Sequence, residues 1–258
     1  MGYVSPDQAQ ALVSSVLMTI VSEIGDKTFF IAAIMAMKHS RLLIFSAAIS
    51  ALAVMTVLSA MLGHLLPKLV PRSYVEMAAA LLFLVFGAKM LLEGWAMDAD
   101  HAQKEMDETS AELEEGHKAE EAYELEAGEF AIGAGGGSSE QSAHGSGPPP
   151  VGLVGHAYAM LQTVMSPVFL QTALIMFVAE WGDRSQLATI ALAAAQDVFW
   201  VSVGTIFGHS ICTGLAVVGG RFLATQISVR TVTLSGGLLF IIFGLIYGYE
   251  AFMTMSAV

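Results

Sequence analysis

The chain has 258 residues, 55% of them hydrophobic and only 13% charged, with a mean hydropathy of +0.66; this composition excludes an ordinary soluble domain and points to a polytopic membrane protein. The formal net charge of −12 belongs to one stretch, because residues 98–150 hold 14 of the 23 acids against only Lys104 and Lys118, leaving the remainder neutral and giving nucleic-acid binding no support. The single cysteine, Cys212, excludes an intrachain disulfide and says nothing of redox compartment.

In chain order, Met1 to Ala11 shows neither a basic region nor a small-residue cleavage site, so the first apolar run is expected to be a retained span rather than a removable leader. Six apolar segments can cross a hydrocarbon core that needs about 20 helical residues: roughly 9–37, 42–65, 74–97, 166–195, 198–220 and 230–254. The first and fourth are overlong, which predicts tilt or a break near Gly25 and Gly182. Residues 98–127 read as an acidic, partly amphipathic helix with scattered apolar positions at Met106, Leu113, Tyr123 and Leu125, most simply a solvated connector. Residues 131–150 are rich in Gly, Ser and Pro and read as linker, and 151–163 as an interfacial lead-in ending before Pro167.

The chain repeats itself without gaps at an offset of 157 residues. Glu23, Gly25 and Asp26 map onto Glu180, Gly182 and Asp183; Thr56 onto Thr213; Gly63 onto Gly220; Phe86-Gly87 onto Phe243-Gly244; and Glu93 onto Glu250. This is the signature of internal duplication. Three spans per repeat is an odd number, so the second half must insert upside down, and inverted repeats place a site at the midplane between the halves. The expected organisation is a first three-helix repeat over 1–97, an acidic connector over 98–150, and a second repeat over 151–258. Lys38, Arg41, Arg221 and Arg230 fall on the connector's side and Lys68 and Arg72 on the other, so the positive-inside rule makes the connector cytoplasmic and both termini lumenal or exterior.

Each repeat carries an acidic string inside an apolar run: Glu23-Ile24-Gly25-Asp26-Lys27-Thr28 and Glu180-Trp181-Gly182-Asp183-Arg184-Ser185. Ionised groups at such depth are costly unless paired or hydrated, so their default reading is functional. Residues three and four apart share a helix face, which clusters Glu23, Asp26 and Lys27, and likewise Glu180, Asp183 and Arg184. Bringing the halves together collects four carboxylates, which cannot all stay ionised side by side in a low-dielectric site; some hold protons that a divalent cation would displace. The all-oxygen set suits Ca²⁺, Mn²⁺ or Mg²⁺, and no histidine or cysteine lies inside either string. Lys27 and Arg184 can anchor the carboxylates when no metal is bound. Thr28 and Ser185 lie about 140° from the glutamates on an ideal helix and reach the site only if the helix opens near its glycine; Gln186 is a further oxygen candidate.

A structural reading stands beside this one: Glu23–Lys27 and Glu180–Arg184 as intramembrane ion pairs, which leaves Asp26 and Asp183 without partners. Glu93 and Glu250 sit near span ends and read as interfacial anchors, and His64 and His209 as packing histidines. Gly204 and Gly208 fit a close helix contact.

The two strings resemble the paired Glu-x-Gly-Asp-[Lys/Arg]-[Thr/Ser] motifs of the Gdt-type cation/proton antiporters, and the second half is similar to the Golgi members over 179–193 and 208–237. The resemblance covers nearly all of the chain outside 98–150. It implies an all-α integral membrane protein of six transmembrane helices in an inverted three-plus-three repeat. It implies a transporter, not an enzyme, exchanging cytosolic Mn²⁺ or Ca²⁺ for lumenal protons, with Glu23, Asp26, Glu180 and Asp183 binding the ion and Lys27, Thr28, Arg184 and Ser185 supporting them. It also implies no cofactor and a Golgi membrane. A proton-uncoupled channel and a non-transporting cation-sensing scaffold remain alternatives, and a homodimer stays open.

Overall fold

The two overlong apolar runs are each broken at their glycine. In the computed structural model, which describes residues 5–98, 103–116, 118, 166–226 and 228–256 (side chains of 72 and 220–226 excepted), the first run forms α1 (Pro6–Glu23) and α2 (Lys27–Lys38). The fourth forms α6 (Pro167–Ala179) and α7 (Arg184–Ala195). Gly25 and Gly182 take φ of +81° and +84°, a left-handed conformation that L side chains rarely adopt, and the Asp that follows each occupies the N-cap of a new helix. The single first and fourth spans expected from hydropathy are therefore helix pairs. Ser5 and Ser166 cap α1 and α6, each followed by a proline at the first helical position.

The remaining elements are α3 (Arg41–Leu69), α4 (Arg72–Ala96), α5 (residues 103–116), α8 (Val198–Gln226) and α9 (Val229–Ser256). Every regular element among the described residues is a helix. Four are long and apolar enough to cross a membrane: α3, most of α4, residues 198–219 of α8, and α9. Their outer faces carry exposed leucines, methionines and aromatics such as Leu62, Leu81, Phe207, Leu245 and Phe252, as a lipid-facing surface requires.

Small residues set the helix contacts. The third helix of each half, α4 and α9, pack along their length in opposite directions: Leu84 lies over Gly244, Gly87 over Gly237 and Ile241, and Gly94 over Leu234. A Cβ at Gly87 would stand 2.9 Å from the Gly237 carbonyl oxygen. Helix α8 lies on α1 through Gly204 against Ser15 and Gly208 against Thr19, and α3 lies on α7 through Gly63 against the Ile190 carbonyl. Each broken pair thus packs on long helices of the other half.

Two apolar clusters flank the breaks. One gathers Phe30, Ile34, Met35, Ile44, Met176 and Val217; the other gathers Met18, Phe83, Leu192, Val201, Phe240 and Tyr247. The repeat relates them, since Ile34, Met35 and Ile44 correspond to Ala191, Leu192 and Val201. Helix α5 is not merely a solvated connector: Met106 is buried in the first cluster, Leu113 packs against it, and Glu112 and Glu114 approach Lys27 and Lys38 at 2.5 and 3.6 Å. Tyr123, Leu125, the linker at 131–150 and the lead-in at 151–163 lie outside the described residues.

Candidate cation site

The two breaks face each other. Helix α1 ends at Glu23 and α6 is capped by Glu180, so the partial negative charge of each helix C-terminus adds to a carboxylate. Glu23 and Glu180 are 4% and 1% exposed. One oxygen from each, together with one from Asp183, lies within 4.8 Å of the others. Three of the four expected acids therefore converge, contributed by both halves.

The glycine break also brings the hydroxyls in. Thr28 Oγ1 donates to Glu23 Oε2 at 3.3 Å, and Ser185 Oγ donates to Glu180 Oε2 at 3.0 Å. On a continuous helix neither would reach. The other oxygen of each glutamate, Oε1, is buried with no hydrogen-bond partner. Two buried glutamates, each with one unsatisfied oxygen and gathered with a third carboxylate, form a donor set that must hold either protons or a cation. Hard oxygen donors of this kind fit Ca²⁺ or Mn²⁺.

Asp26 stands beside this trio. Its Oδ1 accepts from Arg184 Nη2 at 2.9 Å, a pair that joins the two halves. Asp183 keeps a capping role as well, accepting from Ser185 N–H at 3.0 Å. Arg184 also approaches Glu93 Oε2 at 3.8 Å and Asp183 Oδ1 at 4.0 Å. The cations of the two motifs thus part company: Arg184 anchors the site across the halves, whereas Lys27 turns outward to Glu112 of α5. The i,i+4 pairs of the structural reading do not form. Gln186 does not join the cluster; its Oε1 accepts from Gly182 N–H at 2.6 Å and its Nε2 contacts Met55 Sδ, bracing the turn.

A cavity of about 720 Å³ runs from Asp26, Asp183 and Arg184 past Glu93 and Lys89 to Glu105 of α5. A second cavity of about 540 Å³ carries Asp7, His64, Lys68, Asp197 and Glu250. None of the acidic-motif residues lines it; Tyr247 of the second apolar cluster does, and Met18 and Phe240 of that cluster lie on helices that line it, α1 and α9. Glu93 and Glu250, repeat equivalents, therefore sit in different cavities, and only the one beside Glu93 reaches the acids.

Sequence reasoning missed two residues. Glu93 is a partner of Arg184 rather than a lone interfacial anchor, and its match to Glu250 was the available signal. His209, read as a packing residue, places Nδ1 3.8 Å from Glu23 Oε1. Nothing local marks it, because its repeat counterpart is Leu52.

The family described as "Divalent cation/proton antiporter GDT1" matches residues 11–98 and 168–255. The protein named "Divalent cation/proton antiporter GDT1" of Saccharomyces cerevisiae is 41% identical over 253 residues, covering 98% of this chain and 88% of its own length. "GDT1-like protein 4" of Arabidopsis thaliana is 42% identical, covering 92% and 94% respectively, and "GDT1-like protein 3" of Oryza sativa subsp. indica is 41% identical, covering 92% and 73%. No solved structure matches the chain.

Proposed function

The chain belongs to the GDT1 family of divalent cation/proton antiporters, integral membrane transporters rather than enzymes, and on that premise we propose that it exchanges cytosolic Mn²⁺ or Ca²⁺ for lumenal protons by alternating access. Glu23, Glu180 and Asp183 are the ligands, with Asp26 a fourth carboxylate held ready by Arg184. The observation that carries this reading is the convergence of Glu23 from one half with Glu180 and Asp183 from the other, with one buried oxygen of each glutamate left without a partner.

The proposed architecture is six spans in two inverted halves over 1–97 and 151–258, joined by the acidic segment 98–150. Counting each broken pair as one span gives three per half, and the antiparallel packing of the repeat-equivalent helices α4 and α9 supports inversion. The loop bases favour a cytosolic connector and lumenal termini; the resemblance to Golgi members favours a Golgi membrane. On that orientation the cavity beside Glu93 and α5 is a cytosolic vestibule, and the conformation described is the one that loads metal.

In this state the carboxylates exchange protons for a cation arriving through the vestibule. A shift of one broken pair against the other half would close that mouth and open the far one. In an acidic lumen, protons neutralise the acids and the cation leaves. Because either cargo occupies the same oxygens, transport of one against the other is enforced by competition rather than by a separate gate. Alternating access at a shared set of acids distinguishes this reading from a channel, whose flux would not alkalinise the vesicle.

The test is flux in vesicles reconstituted with the purified chain and preloaded at acid pH. Metal entry should be accompanied by loss of internal protons, and Glu23→Gln or Asp183→Asn should abolish both. Normal rates in either variant would remove the site from consideration, and metal entry with no change in internal pH would favour a channel.

A further inference from the structure

The two acidic strings are equivalent in sequence and unequal in use. Arg184 crosses to the other half, donating to Asp26 at 2.9 Å and approaching Glu93 at 3.8 Å. Lys27 holds the equivalent position, and the equivalents of Asp26 and Glu93 are Asp183 and Glu250. Among the described residues Lys27 pairs with neither of these; it pairs with Glu112 of α5 at 2.5 Å. The aspartates divide in the same way. Both stand at the N-cap of the helix after the break, but Asp183 accepts from the Ser185 N–H at 3.0 Å, whereas Asp26 makes no side-chain capping bond and reaches across to Arg184. Capping its own helix and pairing across the halves are two positions open to each aspartate, and the structure holds one of each.

The cavities follow the same asymmetry. Glu93 lines the one that touches the acids, and Glu250 lines the one that does not. Inverted repeats reach their second state when the halves exchange arrangements. Such an exchange returns Asp26 to its cap and turns Asp183 toward Lys27, with Glu250 standing where Glu93 stands now. Little holds Lys27 in its present place: its side chain is 50% exposed, as an ion pair of small worth would be. Lys27 and Asp183 already line one cavity together. When Arg184 lets go, the crowded carboxylates lose a cation that offsets them, and a second cation from the other motif restores the balance.

We propose that Lys27 is the positioning residue of the opposite-facing state, pairing across the halves with Asp183 and Glu250 as Arg184 now pairs with Asp26 and Glu93, and that Glu112 of α5 is its resting partner in the conformation described. This rests on the alternating access proposed above and names the residues that fasten its second state.

Paired cysteines test the contact. In Arg184→Cys/Glu93→Cys, a bifunctional thiol reagent as long as the two side chains it replaces should bridge the pair seen here. The same reagent should bridge Lys27→Cys/Glu250→Cys in metal-free detergent solution, because trapping collects even a minor state. Peptide mass spectrometry reads both, with the single-cysteine variants as blanks. Mn²⁺ uptake into acid-loaded proteoliposomes gives a second measurement that does not depend on the paired cysteines folding. Lys27→Gln is expected to lower uptake about tenfold and Glu250→Gln about threefold, and the two together no further than Lys27→Gln alone, since residues that meet couple and remote ones add. Lys27→Arg should recover most of the loss, as arginine already fills this role at position 184, and Glu112→Gln should keep uptake within about twofold. A bridged control beside an unbridged Lys27→Cys/Glu250→Cys pair, or strictly additive losses, would overturn the proposal. So would a fall in Glu112→Gln as large as in Lys27→Gln, because Lys27 would then act through α5. Glu23→Gln keeps the two levels apart: normal uptake there sinks the carboxylate site itself, whereas a dead Glu23→Gln beside an unbridged Lys27→Cys/Glu250→Cys pair removes only the exchange of anchors.

Discussion

Gly25 and Gly182 adopt nearly the same backbone in different surroundings, which allows strain to be separated from packing. Alanine at either position must accept φ above +80°, at a cost of about 1 kcal/mol. At Gly182 nothing lies within 4 Å of the added Cβ, so strain is the whole effect. At Gly25 the new methyl would stand 2.9 Å from Val229 Cγ1 and 3.0 Å from Cγ2, and Val229 is itself buried. Overlap of that kind adds about 2 kcal/mol. With about 3 °C of midpoint per kcal/mol for a chain of this size, Gly182→Ala should lower the unfolding midpoint in detergent by about 3 °C and Gly25→Ala by about 9 °C. Intrinsic tryptophan fluorescence on heating reads both. Val229→Ala combined with Gly25→Ala should be less damaging than the two single changes together, because it removes the overlap. Equal shifts at the two glycines, or strict additivity with Val229→Ala, would refute the assignment of the difference to that contact.

Three further outcomes follow from the same geometry. Because protons and metal occupy the same oxygens of Glu23, Glu180 and Asp183, metal affinity should weaken as pH falls and binding should release protons; calorimetry in two buffers of different ionisation enthalpy measures the release, and none would contradict the shared site. Arg184→Ala should cost about 1–2 kcal/mol, since its pair with Asp26 is about a quarter exposed and only partly shielded from water, and a double-mutant cycle with Asp26→Ala should recover most of that as coupling; additive costs would mean that the pair does not bridge the halves. Met106→Ala should free residues 103–116 to exchange amide hydrogens, at a loss of about 2–3 kcal/mol of docking energy. Lys27→Ala should scarcely alter that exchange, because the Lys27–Glu112 pair is half exposed and worth well under about 1 kcal/mol; the reverse order would show that the ion pair, not the apolar contact, holds α5.

Much of this protein is written along the chain. The apolar runs, the duplicated acidic strings and their ungapped offset identify the family and an all-helical membrane architecture, because hydropathy and repetition are local properties. The break was legible as one of two possibilities: runs too long for one span, each with a glycine beside two acids, implied either tilt or an interruption, and only an interruption lets Thr28 and Ser185 reach the glutamates.

What lay beyond the sequence was the partner of each side chain. Helical periodicity says which residues share a face, but not which face of another helix meets it. So Asp26 could be counted among the acids yet not assigned to Arg184, and Lys27 could be placed near Glu23 yet not seen to turn toward α5. His209 carries no motif at all; it reaches Glu23 because Gly204 and Gly208, unremarkable in an apolar helix, let α8 approach α1 without a side chain between them. Which of the two cavities touches the acids was likewise decided by tertiary packing alone, since Glu93 and Glu250 are equivalent in sequence and differ only in what the surrounding helices leave open.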